Sequence, residues 1–150
     1  KILSEAIERS ILIKLWYVKK DTNEKLINMD SRAMLNFGHT FGHSLETFYK
    51  YKNLNHGEAI SIGMIVESYI SNKLGYLSNK NFERIRNHFI KAKLKIKDRN
   101  IKKKEVFDIK IKDKKNLSGK INIILIKKIG NAFFKRNVNI DKIKEIIKKI

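Results

Sequence analysis

Residues 32–46 read Arg32-Ala-Met-Leu-Asn36-Phe-Gly-His39-Thr-Phe-Gly-His43-Ser-Leu-Glu46, and they hold the most informative pattern in the chain. At about 100° per residue, the five numbered side chains share one face of a predicted helix, and that face is about 90° wide. A solvated face in so lysine-rich a protein would carry lysine and glutamate. Histidine, asparagine and arginine in their place indicate a helix built around a binding site.

The same helix is predicted to approach another backbone or a ligand closely. Gly38 and Gly42 each cost about 1 kcal/mol in a helix interior, so their presence needs a reason beyond helix formation. Most of the histidines cluster in and after this helix. Within 18 residues come His39, His43 and His56. The fourth, His88, has no such neighbours, and we expect it at the surface.

Spacing alone predicts a divalent metal site. His39 and His43, one helical turn apart, could bind a metal ion from one helix face, with His56 or a carboxylate completing the set. The zincin signature HExxH is not met, because threonine replaces its glutamate. Glu46 and Glu58 are the candidate carboxylates. Glu58 could instead accept a hydrogen bond from the His56 ring and fix its tautomer.

The remaining periodicity predicts a mainly helical protein with a small β-hairpin near the C-terminus. Residues 57–73 carry apolar or small groups on every side, which is typical of a buried helix. The β-branched run 121–126 and the segment 131–137 after Gly130 predict the hairpin. Predicted helices cover residues 3–19, 31–49, 57–73, 78 to about 90, a short segment near 106–111 and 140–150, and a short strand is predicted over 94–96.

The net charge of +19 could indicate a nucleic-acid-binding protein, but the kinds of basic residues in the chain argue against one. Of the 34 basic residues, 28 are lysine and 6 are arginine, the residue that reads phosphates and bases better. Scarce alanine and glycine and absent proline fit an A/T-rich coding composition. A basic helical module, with residues 91–104 and 110–120 on one face, is the alternative; nucleic acid is not the partner we expect.

The ends and the composition predict the broad class of the protein. The chain begins with lysine instead of an initiator methionine, and Glu5 and Glu8 interrupt any signal-peptide core. No apolar run approaches the roughly 18 residues of a membrane span, and the absence of cysteine excludes disulfides and thiolate metal sites. We expect a soluble, cytoplasmic piece of a longer protein, with one domain over residues 1–150.

Two motifs carry a resemblance to a known family. They are Arg32-x3-Asn36-Phe-Gly-His39-Thr-Phe-Gly-His43-x2-Glu46 and His56-Gly-Glu58-Ala, followed by Ile62-Gly-Met64. Weaker matches extend the likeness to Ile13-Lys14, Val18-x2-Asp21 and Asp113-Lys114-Lys115-x3-Gly119-Lys120-Ile121. Together they resemble 3-dehydroquinate synthase, a family of sugar phosphate cyclases.

The resemblance implies a fold and an activity. The chain would be the helical, metal-bearing C-terminal domain, and a preceding α/β domain outside the chain would bind NAD⁺. The substrate would be 3-deoxy-D-arabino-heptulosonate 7-phosphate, and the products 3-dehydroquinate and phosphate, a lyase step of the shikimate pathway toward chorismate and the aromatic amino acids. Transient oxidation by NAD⁺ precedes phosphate elimination, and reduction and an intramolecular aldol step follow.

The resemblance also implies residue roles at the metal. His39 and His56 would bind Zn²⁺ or Co²⁺, and His43 would handle protons near the reacting carbon instead of binding the metal. This assignment replaces the pair of His39 and His43 that spacing alone favours. Glu46 and Glu58 would act as outer-shell groups, and the third metal ligand of the family lies upstream of this chain.

The substrate's anionic groups would be held by the remaining matched residues. Arg32 would bind a carboxylate in two-pronged fashion and Asn36 would add a neutral donor. Lys14 and one of Lys114 and Lys115 would complete the anion pocket. The loop between Lys14 and Arg32 is several residues longer than the family pattern.

Alternatives to this interpretation follow from the same residues. Cyclases that make inosose or valiolone-type products share much of the motif, so the exact product is open. A degenerate relative without turnover is a further possibility, as is the nucleic-acid module. We expect this chain by itself to be inactive and to expose an apolar surface where the missing domain packs; a homodimer is also compatible with it.

Overall fold

The computed structural model describes residues 2–26, 28, 30–111 and 119–150, and it confirms a mainly helical fold with one β-hairpin. The elements, in chain order, are α1 Ile2–Lys20, a first 3₁₀ helix Arg32–Asn36, α2 His39–Phe48, α3 His56–Lys73, α4 Asn79–Lys91, a second 3₁₀ helix Arg99–Lys102, α5 Lys104–Ile111, β1 Lys120–Lys128, β2 Asn131–Asn139 and α6 Ile140–Lys148.

Helix α3 is the central element, and its prediction as a buried helix is confirmed. It contacts α2, α4, α6 and β1, and eleven of its residues are buried. Asn55 and Glu58 form a capping box at its start, in which each side chain accepts a hydrogen bond from the other residue's backbone N–H. After its last turn, Gly75 has a φ of 81°, which suits glycine best.

The predicted hairpin is confirmed and closes the core against α3. β1 and β2 pair antiparallel around a turn in which Gly130 has a φ of 82°. β1 is buried on both faces: Ile123 and Leu125 belong to the main core, and Ile126 packs with Leu77 and Phe82 in a smaller cluster. This double burial explains the unbroken apolar run that marks the strand in the sequence.

The predicted continuous helix over residues 31–49 is wrong. Gly38 has a φ of 87°, so the chain leaves helical geometry there, and a 3₁₀ helix and α2 form on either side. Arg32 and Asn36 therefore do not share the face of α2 that carries His39, and the common stripe drawn from 100° per residue does not exist. The angular pattern holds only within α2.

The predicted strand over residues 94–96 is also wrong. This segment is irregular backbone, and the Ser61 hydroxyl donates to the Lys95 carbonyl oxygen at 2.7 Å. A side chain of α3 thus takes the place that a neighbouring strand would fill. The other predicted helices, including the short α5 and the terminal α6, are confirmed.

Helix α1 is confirmed as a helix but lies outside the core. None of its residues is buried, and its main contact in the described chain is with the first 3₁₀ helix. Apolar side chains that a core would normally cover are solvent-exposed along it: Ile2, Leu3, Ile7, Ile11, Leu12, Ile13, Leu15 and Trp16. Among the described residues, no helix combines the length and apolar character needed to cross a membrane.

Candidate metal centre

Glycines bring α2 and α3 into close contact and so place their histidines together. A Cβ on Gly63 would lie 1.9 Å from the carbonyl oxygen of Gly38 and 2.9 Å from the amide nitrogen of Gly42. A Cβ on Gly38 would lie 2.8 Å from the carbonyl oxygen of Ile60. The close approach predicted from Gly38 and Gly42 is confirmed, and the approaching backbone is that of α3.

Three imidazoles meet where the two helices cross. The ring centroids lie 5.0 Å apart for His39 and His43, 5.6 Å for His39 and His56, and 6.0 Å for His43 and His56. The first two come from successive turns of α2, and His56 is the first residue of α3. The side chains of His43 and His56 are 55% and 62% exposed, so the cluster is open to solvent. His88 is exposed on α4, as expected.

Glu46 is the carboxylate of the cluster. It is buried on α2, with Oε1 3.0 Å from His56 Nδ1 and Oε2 4.0 Å from His43 Nε2. Glu58 is engaged elsewhere, because its oxygens face the backbone N–H of Asn55 and the ammonium of Lys95. The expectation that Glu58 accepts from the His56 ring is therefore wrong, and Glu46 is the carboxylate that contacts this ring.

The environment of His39 favours a neutral ring. Its Nδ1 lies 3.4 Å from the carbonyl oxygen of Phe37. Partial burial lowers the pKa of His39 below its ordinary 6.5; the nearby imidazoles of His43 and His56 act in the same direction, whereas the Phe37 carbonyl and Glu46 oppose the change. A neutral imidazole is the form that binds a metal ion.

A set of three donors in this cluster could bind a divalent cation. The donor atoms of His43, Glu46 and His56 lie within 4.8 Å of one another. Donors around a zinc ion with bonds of about 2.0–2.1 Å lie roughly 3.3 Å apart, so small side-chain rotations would bring this trio to a metal. His39 lies beside the trio, with its ring centroid 5.6 Å from that of His56.

Arg32 and Asn36 face the loop that follows α1. The Arg32 guanidinium donates to the Thr22 carbonyl oxygen at 3.4 Å, and the Asn36 amide donates to Glu24 Oε1 at 3.3 Å. Lys14 is exposed on α1. Two further candidates, Lys114 and Lys115, lie outside the described residues.

Asp21 organises this loop, and the sequence did not single it out as a site residue. Its carboxylate belongs to a buried residue and accepts from the backbone N–H of Lys25 at 2.7 Å, of Leu26 at 3.2 Å and of Arg32 at 3.0 Å. One side chain thus holds both ends of the segment that leads into the first 3₁₀ helix. The backbone of Arg32 is thereby anchored before its side chain makes any contact.

Glu67 is a second residue that sequence reasoning missed. It is fully buried in the middle of α3, and its carboxylate accepts from the backbone N–H of Gly38 at 2.7 Å and of Thr40 at 3.1 Å. A signal was present in the sequence: Glu67 is the one charged side chain between Ala59 and Asn72. A charge inside an apolar helix indicates a specific buried partner.

Comparison with known proteins identifies related sequences. The family model for the 3-dehydroquinate synthase C-terminal domain matches residues 1–116. Curated proteins named 3-dehydroquinate synthase are 38% identical over 150 residues in Thermodesulfovibrio yellowstonii and 37% identical over 144 residues in Methylacidiphilum infernorum. These alignments cover 99% and 96% of the chain, but 40% and 39% of the relatives. The chain thus spans about two fifths of the length of the curated relatives it matches.

Solved structures share the fold at lower identity. A 2-deoxy-scyllo-inosose synthase complexed with carbaglucose-6-phosphate, NAD⁺ and Co²⁺ has a TM-score of 0.63 at 22% identity, covering 79% of this chain and 35% of that one. A 2-epi-5-epi-valiolone synthase from Streptomyces hygroscopicus with NAD⁺ and Zn²⁺ bound has a TM-score of 0.60 at 23% identity, covering 77% and 32%. The named relatives favour the cyclase interpretation over a nucleic-acid-binding module.

Proposed function

The chain belongs to the 3-dehydroquinate synthase C-terminal family, and from that premise we propose that it is the metal-bearing part of a 3-dehydroquinate synthase. The whole enzyme would be a carbon–oxygen lyase of the shikimate pathway, converting 3-deoxy-D-arabino-heptulosonate 7-phosphate into 3-dehydroquinate and phosphate. Because the relatives are longer than this chain, we assign NAD⁺ binding to polypeptide outside it. The observation that best supports this proposal is the cluster formed by three imidazoles and Glu46 between α2 and α3.

His39 and His56 are the proposed metal ligands. Their Nδ1 atoms face the Phe37 carbonyl oxygen and Glu46 Oε1, which leaves Nε2 of each ring as the metal donor. An imidazole that donates its other N–H to a carbonyl or carboxylate is the usual form of a metal-binding histidine. The donor set suits Zn²⁺ or Co²⁺, which when bound would act as a Lewis acid on the substrate's alcohol and ketone oxygens. A third ligand would come from the polypeptide outside this chain.

His43 is the proposed proton-handling group. It lies one helical turn from His39, its side chain is exposed, and its Nε2 is 4.0 Å from Glu46 Oε2, beyond direct hydrogen-bond distance. An exposed imidazole in this position can exchange a proton with a bound substrate, with the Glu46 carboxylate nearby.

The loop after α1 and the first 3₁₀ helix form the proposed anion-binding side. Arg32, anchored through its backbone by Asp21, would bind a carboxylate, and Asn36 would exchange its contact with Glu24 for one with the substrate. Lys14 and one of Lys114 and Lys115 would add positive charge. These assignments follow the family motif.

The exposed face of α1 supports a covering polypeptide. A monomeric protein rarely leaves so many large apolar side chains of one helix in water. The matched relatives supply a candidate, since about three fifths of each lies outside the aligned region. We assign α1 to the interface with that part of the enzyme, and for this reason expect the chain alone to be inactive.

The proposed activity can be tested in a chimera that joins the preceding part of the Thermodesulfovibrio yellowstonii relative to this chain. We expect phosphate release with formation of 3-dehydroquinate, identified by NMR. His39→Ala and His56→Ala should each remove most of the bound metal. His43→Ala should retain the metal and lower kcat by about 10²–10⁴-fold, the range for loss of a general acid–base group.

His88→Ala, on the exposed face of α4, is the control and should behave as the unchanged chimera. If the chimera released phosphate but formed an inosose or valiolone-type product, the proposed substrate would be wrong and the substrate of another cyclase would be assigned instead. Full metal content in both His39→Ala and His56→Ala would refute the ligand assignment.

A further inference from the structure

Glu67 has a contact pattern that neither surface solvation nor core packing explains. It is fully buried, and it comes from the side of α3 that faces the start of α2. A buried carboxylate is expensive unless strong donors surround it. Here Oε2 accepts from Gly38 N–H at 2.7 Å and Oε1 from Thr40 N–H at 3.1 Å.

These two donors flank His39. Gly38 is the N-cap residue of α2 and has no side chain with which to cap the helix. The first amides of a helix have no partner within the helix, and they carry the positive end of its dipole. Glu67 thus provides from α3 the acceptor that the N-cap residue of α2 does not provide itself.

The position of His39 depends on where α2 begins. A helix of ten residues is marginal by itself, and its first turn is the part most prone to fray. His39 occupies the first position of that turn, whereas His56 occupies the first position of α3. A contact from α3 to both sides of His39 therefore fixes one imidazole relative to the other.

We propose that Glu67 is a positioning residue that holds His39 at the distance from His56 needed to share a metal ion. The inference rests on the proposed function for the identity of the two ligands. Glu67 touches neither the metal nor the substrate; it acts through the backbone of residues 38–40.

The test compares Glu67→Gln with Glu83→Gln in the chimera, which supplies the proposed third ligand. The side-chain amide introduced by Glu67→Gln presents an NH₂ group to one of the two backbone donors, so one hydrogen bond is lost and a donor faces a donor. We expect affinity for Co²⁺, measured by competition with a chromophoric chelator, to fall about tenfold, the lower end for supporting groups of metal ligands. Glu83→Gln removes a carboxylate from the surface of α4, where Glu83 pairs with Arg86, and should change affinity less than about twofold.

A double-mutant cycle separates positioning from general destabilisation. In a His39→Ala background, Glu67→Gln should change Co²⁺ affinity by less than about twofold, because the ligand it positions is gone. An equal loss in both backgrounds, or unchanged affinity in Glu67→Gln, would overturn the inference. Glu67→Asp, which keeps the charge but shortens the reach, should lie between the unchanged chain and Glu67→Gln.

NMR provides a readout that needs no metal. The His39 and His56 rings, with centroids 5.6 Å apart, should show a nuclear Overhauser contact in the unchanged protein and in Glu83→Gln. Loss of that contact in Glu67→Gln, with faster amide exchange at Gly38 and Thr40, supports the inference, and its retention contradicts it. If no variant binds Co²⁺, the ligand assignment fails, whereas the ring contact still decides the role of Glu67.

Discussion

At the scale of single residues, two buried carboxylates contact the histidine cluster or the backbone beside it. Glu46 holds the His56 ring from α2, and Glu67 holds the backbone around His39 from α3. Both carboxylates are more buried than the imidazoles they organise. The candidate ligands thus lie nearer the solvent than the carboxylates that contact them, an arrangement that would keep the proposed site accessible and its ligands in place.

These residues differ in how far the sequence could reveal them. The clustering of His39, His43 and His56 was predictable, because histidine is scarce in a lysine-rich chain and three of four fall together. Glu46 was predictable by its helical spacing from His43. The contacts of Glu67 with residues 27 and 29 positions away were not, because only tertiary packing creates them.

Asp21 gives a prediction at this scale. We expect Asp21→Asn to lower the free energy of unfolding at neutral pH, and the difference from the unchanged chain to shrink in acid. Burial by itself raises the pKa of Asp21, but the backbone N–H groups of Leu26, Lys25 and Arg32 outweigh it and hold the pKa below the ordinary 3.8. Such a group contributes stability that is fully present above its unfolded-state pKa and lost as pH falls through its folded-state pKa.

Urea unfolding from neutral pH to about pH 3 measures this change. Glu83→Gln is the control, since Glu83 is partly exposed and its ion pair with Arg86 is of the surface kind, worth less than about 1 kcal/mol. A stability difference for Asp21→Asn that stays constant down to the lowest pH would contradict the hydrogen-bond account.

At the scale of elements, one glycine decides the difference between the predicted helix over residues 31–49 and the observed pair of shorter helices. The periodicity of the sequence concerns side chains only, and an unbroken helix over residues 31–49 would satisfy it. The break at Gly38 is a backbone event, and it lets the carbonyl oxygen of Gly38 lie against Gly63 of α3. Packing between helices, which single-chain periodicity does not contain, therefore overrode the local pattern.

Gly63→Ala should separate α2 from α3. Its Cβ would meet backbone atoms of Gly38 and Gly42, which cannot rotate away as a side chain can. Overpacking of this kind costs about 1–3 kcal/mol, and more where backbone must shift. We expect at least that loss in the free energy of unfolding, measured in urea, together with weaker Co²⁺ binding as His39 and His56 move apart.

Gly57→Ala is the matched control in the same helix. The nearest atom to its added Cβ is Asn55 Oδ1 at 3.6 Å, an ordinary contact, and Gly57 does not have a positive φ. The substitution should stabilise the chain by about 0.4–1 kcal/mol through the unfolded state. If Gly57→Ala and Gly63→Ala lowered the free energy of unfolding by similar amounts, α2 and α3 would pack less closely than the distances at Gly63 indicate.

At the scale of the whole molecule, local sequence patterns predicted the folded core better than the exposure of its first helix. The predicted mainly helical fold with a hairpin was correct because long periodic runs and the β-branched run of β1 are strong local signals. The exposure of α1 could not be predicted from local sequence patterns in the same way. Its apolar spacing is that of a packed helix, and the sequence does not show whether the partner lies in this chain.

The last prediction concerns that exposed helix. Ile7 and Ile11 lie one turn apart on α1 and are 52% and 54% exposed, so replacing both by lysine removes apolar surface without opening a cavity. We expect the double variant Ile7→Lys, Ile11→Lys to self-associate less than the unchanged chain in sedimentation velocity, with a free energy of unfolding within about 0.5 kcal/mol per site. Leu45→Ala, in the fully buried core, should instead lose about 2–5 kcal/mol. A large loss of stability in the lysine variant would mean that α1 is covered within the chain itself, and the assignment of α1 to an interface would be wrong.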